Sequence, residues 1–190
     1  EWIDTFQKLE TLAVYKNNID SIPDSFYNLK SLEQIDIYFN NIQRISSKID
    51  RLKELRVLYL SNNLIFSLPD ALKNLENLEK LYLHHNRLSD LPNLSNFKQL
   101  KILRINDNYI TNFPEEVMQL SSLENLDISN NKITKIPSSL KQMKNLEIFF
   151  FQENPIDFSS EENQHIAETV NTMVERGAVV NPHSFKFIKR

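Results

Sequence analysis

The 190-residue sequence predicts an α/β solenoid, with short parallel strands lining a concave side and 3₁₀ or irregular limbs returning along a convex side. Three observations carry that prediction. Seven asparagines, Asn17, Asn40, Asn63, Asn86, Asn108, Asn131 and Asn154, recur at steps of 23, 23, 23, 22, 23 and 23 residues. Around each runs the frame L-x-x-L-x-L-x-x-N-x-L, with aliphatic substitutions. Most copies continue into a hydrophobic-Pro segment with apolar residues at steps of three. A fixed period of this length marks stacked copies of one unit, so chain length sets the number of coils in a single continuous domain.

Residues 1–8 leave two readings open. Ile3 and Phe6 precede Leu9 by the same steps that separate Phe26 and Leu29 from Leu32, which fits the partial convex limb of a preceding repeat. Alternatively, Trp2, Ile3 and Phe6 fold over the first coil as a minimal cap. Residues 9–157 hold six full repeats and a partial seventh, the first running Leu9, Leu12, Val14, Asn17, Ile19, Ile22, Pro23, Phe26, Leu29. Later ones restart at Leu32, Leu55, Leu78, Leu100, Leu123 and Leu146.

Within each unit the x-L-x-L-x stretch alternates, as a strand with one face inward requires, giving about seven parallel strands. Equivalent residues of successive coils then stand about 4.8 Å apart, in rows. The Asn falls where the chain leaves the strand and backbone groups lose their ladder partners. Its amide carries both donors and acceptor, and Asn86→Ala is expected to cost about 1–3 kcal/mol. Pro23, Pro69, Pro92, Pro114 and Pro137 then fix φ and start the return limb, where steps of three suit 3₁₀ turns. Two units depart from the frame. Ser46 stands where others have Pro, predicting a looser or more helical limb, and the fourth unit is one residue short at Leu91 to Phe97, predicting a local change of curvature or twist.

Residues 158–190 form the C-terminal cap and tail. Ser159-Ser160-Glu161-Glu162 fits a capping box, and Ile166, Ala167, Val170, Met173 and Val174 share one helical face before Gly177, predicting a helix over 160–176. Ala178-Val179-Val180 follows as a candidate short strand, and a basic tail ends at Arg190.

The repeat frame and its seven-fold Asn column resemble the leucine-rich repeat family, in the 23-residue class found in bacterial proteins and intracellular, Ras-group-like signalling scaffolds. The short fourth unit resembles the 22-residue subclass. The resemblance implies a right-handed, arc- or horseshoe-shaped solenoid that binds a protein partner non-catalytically on its concave face. Three alternatives share the pattern: the recognition portion of a longer enzyme, part of a secreted, virulence-associated bacterial effector, or a self-associating structural or surface protein pairing through its N-terminal edge. The absence of cysteine differs from the disulfide-capped ends of animal ectodomains and is similar to cytosolic or bacterial secreted and surface members.

Bulk properties narrow the partner class. Net charge is −3, and Lys and Arg are not gathered into a run, which argues against nucleic acid. No apolar stretch approaches the roughly 18 residues that a spanning helix needs, so membrane insertion is not indicated. Gly177 is the only glycine, which excludes the usual phosphate-cradling loops and leaves no nucleotide cofactor indicated. Asp36 and Asp127 lie four repeats apart, roughly 19 Å by strand spacing, too far for paired acid–base work. No serine or histidine stands in a nucleophile-activating frame, so no catalytic residue is assigned. His84 and His85 with Asp107 make a weak metal candidate, and no metal site is assigned.

Function must then lie in positions that the repeat leaves free. The central concave column reads Ala13, Asp36, Tyr59, Tyr82, Arg104, Asp127, Phe150, and the next reads Tyr15, Tyr38, Ser61, His84, Asn106, Ser129, Gln152. Tyr15, Tyr38, Phe39, Tyr59, Tyr82, His84 and His85 are expected to form a contiguous aromatic patch beside Lys80, Arg104 and Asp127. Tyrosine beside Arg and His is the composition of a protein-binding hot spot. The plainer reading is that the tyrosines only stack down the ladder. Glu33, Arg56, Glu79, Lys101 and Glu124 alternate in sign down one column and read as a stabilising charge ladder.

Overall fold

A computed structural model describes residues 3–181. Among them run eight three-residue strands: β1 (Thr11–Ala13), β2 (Gln34–Asp36), β3 (Val57–Tyr59), β4 (Lys80–Tyr82), β5 (Ile102–Arg104), β6 (Asn125–Asp127), β7 (Ile148–Phe150) and β8 (Val179–Asn181). They form one parallel sheet in sequence order, β1 to β8. Seven strands come from the repeats as expected. The eighth is the segment after Gly177, which pairs Val179 with Ile148 and closes the sheet.

Each coil buries its frame residues. Leu32, Ile35, Ile37 and Ile42 of the second coil are at most 2% exposed, and Leu78, Leu81, Leu83 and Leu88 of the fourth are fully buried. In the first coil, Leu9, Leu12, Val14, Ile19 and Ile22 are only half-buried among the described residues. Residues 3–8 contribute a 3₁₀ turn, Ile3–Thr5, packed on the next limb's turn. Trp2 lies outside the described residues.

The asparagine column is a lateral staple. Asn63 Oδ1 accepts the Ile42 N–H at 3.0 Å, while Nδ2 donates to Ile37 O of the preceding coil and Leu60 O of its own, both at 3.0 Å. Asn40, Asn86, Asn108, Asn131 and Asn154 repeat the pattern. The Asn17 side chain is exposed and, among the described residues, donates to Val14 O and Tyr15 O of its own coil. The residue before each asparagine is left-handed: Lys16, Phe39, Asn62, His85, Asp107, Asn130 and Glu153 have φ of 50 to 56°. That corner turns the chain inward, and it favours Asn or Asp over the other side chains found there.

Convex limbs carry 3₁₀ turns at Asp24–Asn28, Ser47–Arg51, Asp70–Asn74, Glu115–Gln119 and Ser138–Gln142. Ser46 does not loosen its limb. It holds φ −69° and ψ 148°, close to Pro69 at −74° and 145°, and its hydroxyl caps Lys48 N–H. Its own N–H, which proline would lack, donates to the hydroxyl of fully buried Tyr27 at 3.3 Å. The one-residue-short fourth limb has turns but no 3₁₀ segment, and the flanking strands keep register, Tyr82 opposite Arg104.

The C-terminal helix is shorter than 160–176. A 3₁₀ turn at Glu161–Asn163 precedes α1, Ile166–Glu175. The expected capping box does not form, because Ser159 N–H and Oγ both turn back to Asp157 Oδ1 and Ser160 Oγ donates to Asp157 O. The cap is fixed instead by side chains reaching backbone of the last coils. Asn163 donates to Thr134 O, His165 Nε2 lies 2.6 Å from Ile136 O, and Arg176 donates to Lys141 O and Met143 O. Gly177, at φ 97°, ends the helix as its sequence position predicts. The basic tail lies outside the described residues.

Candidate partner-binding surface

Strand pairing sets the rows of the inner wall. Ala13, Asp36, Tyr59, Tyr82, Arg104, Asp127 and Phe150 are successive register partners, and Phe150 meets Asn181 of β8. Their side chains point away from the core because Leu58, Leu81, Leu103 and Leu126, one position earlier, are buried.

The rings form two touching groups. Tyr59 and Tyr82 stack with centroids 4.7 Å apart and planes 11° from parallel. Tyr82 meets His84 edge-on, His84 meets His85, and the Arg104 guanidinium lies 5.9 Å from the Tyr82 ring centre. The second group is Tyr38 against Phe39, 4.4 Å apart at 78°. Tyr15 is 53% exposed and has no ring contact among the described residues. Among the described residues no ring contact joins the two groups, and in the second row Ser61, 1% exposed, stands between Tyr38 and His84.

Ser61 is not idle there, since its hydroxyl lies 2.8 Å from His84 Nδ1. Burial first, and then electrostatic coupling to His85 and Arg104, pushes the His84 imidazole down to about 4, against a smaller opposing pull from Asp107. His84 is thus neutral at physiological pH. Burial and the adjacent Tyr59 raise the Tyr82 hydroxyl above its ordinary value, with Arg104 opposing.

Asp36 and Asp127 are committed locally. Asp36 Oδ1 accepts the Tyr38 N–H at 3.1 Å, and Asp127 Oδ1 accepts both the N–H and the hydroxyl of Ser129, at 3.0 and 2.6 Å. Arg104 and Lys80 make no ion pair among the described residues, and Arg104 Nε is buried without a hydrogen-bond partner. Phe150 stands half-buried at the far end of the row. Sequence reasoning passed over Val57, Ile102 and Ile148, half-buried apolar residues at the first position of their strands, beside the tyrosine row. The signal was available: β-branched residues at a position whose side chain faces outward.

At the wall's margin the charge ladder is realised in part. Arg56 pairs with Glu33 at 3.7 Å and with Glu79 at 3.0 Å, and Lys101 with Glu79 at 3.8 Å. These pairs are largely solvated and each contributes about 0.2–1 kcal/mol. Around the weak metal candidate, Asp107 accepts from Asn106 and Asn130, and His85 Nε2 stands 3.6 Å from its carboxylate. No group of three or more His, Cys, Asp or Glu among the described residues is arranged to hold a metal ion. No helix among them is long and apolar enough to cross a membrane.

The frame and the stacked single-strand coils define a leucine-rich repeat array, and comparison with known proteins agrees. The leucine-rich repeat family matches residues 37–88 and 98–156, and a two-copy form of the repeat matches 76–116. The chain belongs to the leucine-rich repeat family. No curated protein matches it significantly by sequence. Among solved structures it is similar to a leucine-rich repeat protein of Leptospira interrogans (TM-score 0.76, 32% identity, over 80% of this chain and 39% of that one). An internalin of Listeria monocytogenes shares the fold (TM-score 0.79, 23% identity, over 99% and 50%). A plant peptide hormone receptor, solved in complex with a peptide, aligns at TM-score 0.70 and 32% identity, over 80% and 26%. The chain thus spans half or less of the length of each. Leucine-rich repeat arrays are generally non-catalytic protein-interaction modules.

Proposed function

We propose that this array binds a protein partner on its concave face, with Tyr59 and Tyr82 as anchors and Tyr38, His84 and Arg104 as flanking contacts. The observation that carries the reading is the stacked Tyr59–Tyr82 pair with Arg104 beside it, on a wall whose fold-determining residues all point the other way. Stacking and binding are compatible, since a pair already held parallel loses little side-chain entropy when a partner covers it. Val57 and Ile102 extend the apolar floor beside the rings. A displayed random-peptide library tests the reading. Peptides enriched on the wild type should lose about 2 kcal/mol or more of affinity on Tyr59→Ala or Tyr82→Ala. Equal binding to both variants would overturn it.

A second reading is self-association through β1, the first strand of the sheet among the described residues, whose coil has Leu12 and Val14 only half-buried. Light scattering across a concentration series tests it, and a constant monomer mass would remove it.

A further inference from the structure

We propose that the concave face selects an acidic segment, a stretch of extended chain whose carboxylate is taken between Lys80 and Arg104 while an adjacent apolar side chain covers the Tyr59–Tyr82 stack. This rests on the concave-face reading and adds the chemistry of the partner. Unused donors on the wall carry it. Both central carboxylates, Asp36 and Asp127, are turned back onto the backbone N–H two residues on, and Asp127 also holds the Ser129 hydroxyl. Arg104, in the same row, and Lys80, two positions along the wall, are not tied up in ion pairs among the described residues. Arg104 stands next to Asp127 in register yet makes no ion pair with it, and its Nε is a buried donor with nothing to donate to. Lys80, on the neighbouring strand, is half-buried and equally unpaired, because Glu79 beside it is occupied by Arg56 and Lys101.

Strand spacing and rise put the two Cα atoms about 8 Å apart on the same face. Two long side chains from those positions converge readily on one carboxylate. Their separation is about one Debye length at physiological ionic strength, so their fields add in part, with Asp127, one strand from Arg104, offsetting some of that sum. A buried guanidinium N–H without an acceptor also penalises partners that cover it with apolar surface alone, which gives selectivity against them.

The peptides selected on the wild type provide the probe. A synthetic copy of the most enriched peptide, and a copy with each Asp and Glu changed to Asn and Gln, are measured by fluorescence polarisation on wild type, Arg104→Gln with Lys80→Gln, and Tyr59→Ala. Melting curves confirm that each variant is folded. The expected result is acidic enrichment, with neutralisation of the peptide weakening binding about tenfold or more on the wild type and less than about threefold on the Arg104/Lys80 variant. Enrichment of basic or uncharged peptides overturns the proposal. So does a neutralisation effect that persists unchanged on the variant. If those peptides still lose affinity on Tyr59→Ala, the acidic-segment inference falls and the concave-face reading stands. Binding indifferent to both sets of variants overturns both.

Discussion

Asn86→Ala probes the element that makes neighbouring coils one structure. Asn86 is 7% exposed, accepts the Ile65 N–H at 3.0 Å, and donates to Leu60 O and Leu83 O, both at 3.0 Å. Two of these three partners belong to the preceding coil. Alanine would strand the buried Ile65 amide, at a cost of about 1–3 kcal/mol, whereas Leu60 O and Leu83 O each keep one amide donor, from Asn63 and Asn108. With one stranded amide and two carbonyls that each lose one of two donors, the total expected is about 2 kcal/mol. That is a large fraction of the 5–15 kcal/mol typical of a domain. Asn17→Ala is the internal control. Its two bonds stay within its own coil on exposed surface, and it should cost less than about 1 kcal/mol. Urea unfolding followed by circular dichroism compares the two. Equal losses, or a loss under about 1 kcal/mol for Asn86→Ala, would refute the view that the amide joins coils.

Ser46→Pro should destabilise by about 1 kcal/mol although its φ suits proline, because it removes the N–H that serves buried Tyr27 and the hydroxyl that caps Lys48. Adding Tyr27→Phe should recover part of that loss in thermal melts, whereas additive losses would contradict the coupling. Glu153 is exposed at φ 55°, so Glu153→Asn should raise stability by about 0.5–1 kcal/mol in denaturant titrations. A double-mutant cycle on Tyr59 and Tyr82 should return a coupling of about 0.5–1.5 kcal/mol for the stack, and none if the rings are independent. For His84 the folded state holds the imidazole down to about 4. The unfolded chain therefore binds the proton first, and the stability present above pH 6.5 is lost progressively as pH falls toward 4. His84→Gln should flatten the dependence of the urea midpoint over that window, and an unchanged slope would contradict it.

The fold was legible because the frame is written redundantly: each of Leu58, Leu81 and Leu103 faces the core for the same reason, so one reading repeats along the chain. Where a unit carries its own local solution, the pattern misleads. Ser46 looks like a defect until Tyr27 is seen beneath it, a contact 19 residues away in sequence. The apparent capping box fails because Asp157, just upstream, competes for both serines. Rows on the wall were also legible, since they follow from the period alone. The use of each side chain was not: whether Asp127 turns to Ser129 or to Arg104 depends on rotamers that no spacing encodes. For the same reason no spacing shows that Ser61 is buried against His84.

The most direct test of the concave wall as a recognition surface is a nuclear magnetic resonance titration with a selected peptide, reading backbone and aromatic shifts across all coils. Perturbations centred on Tyr59, Tyr82 and Arg104, spreading along β3 to β5, are the predicted result. Perturbations confined to the convex turns such as Asp70–Asn74 and Glu115–Gln119, with Tyr59 and Tyr82 unmoved, would contradict it.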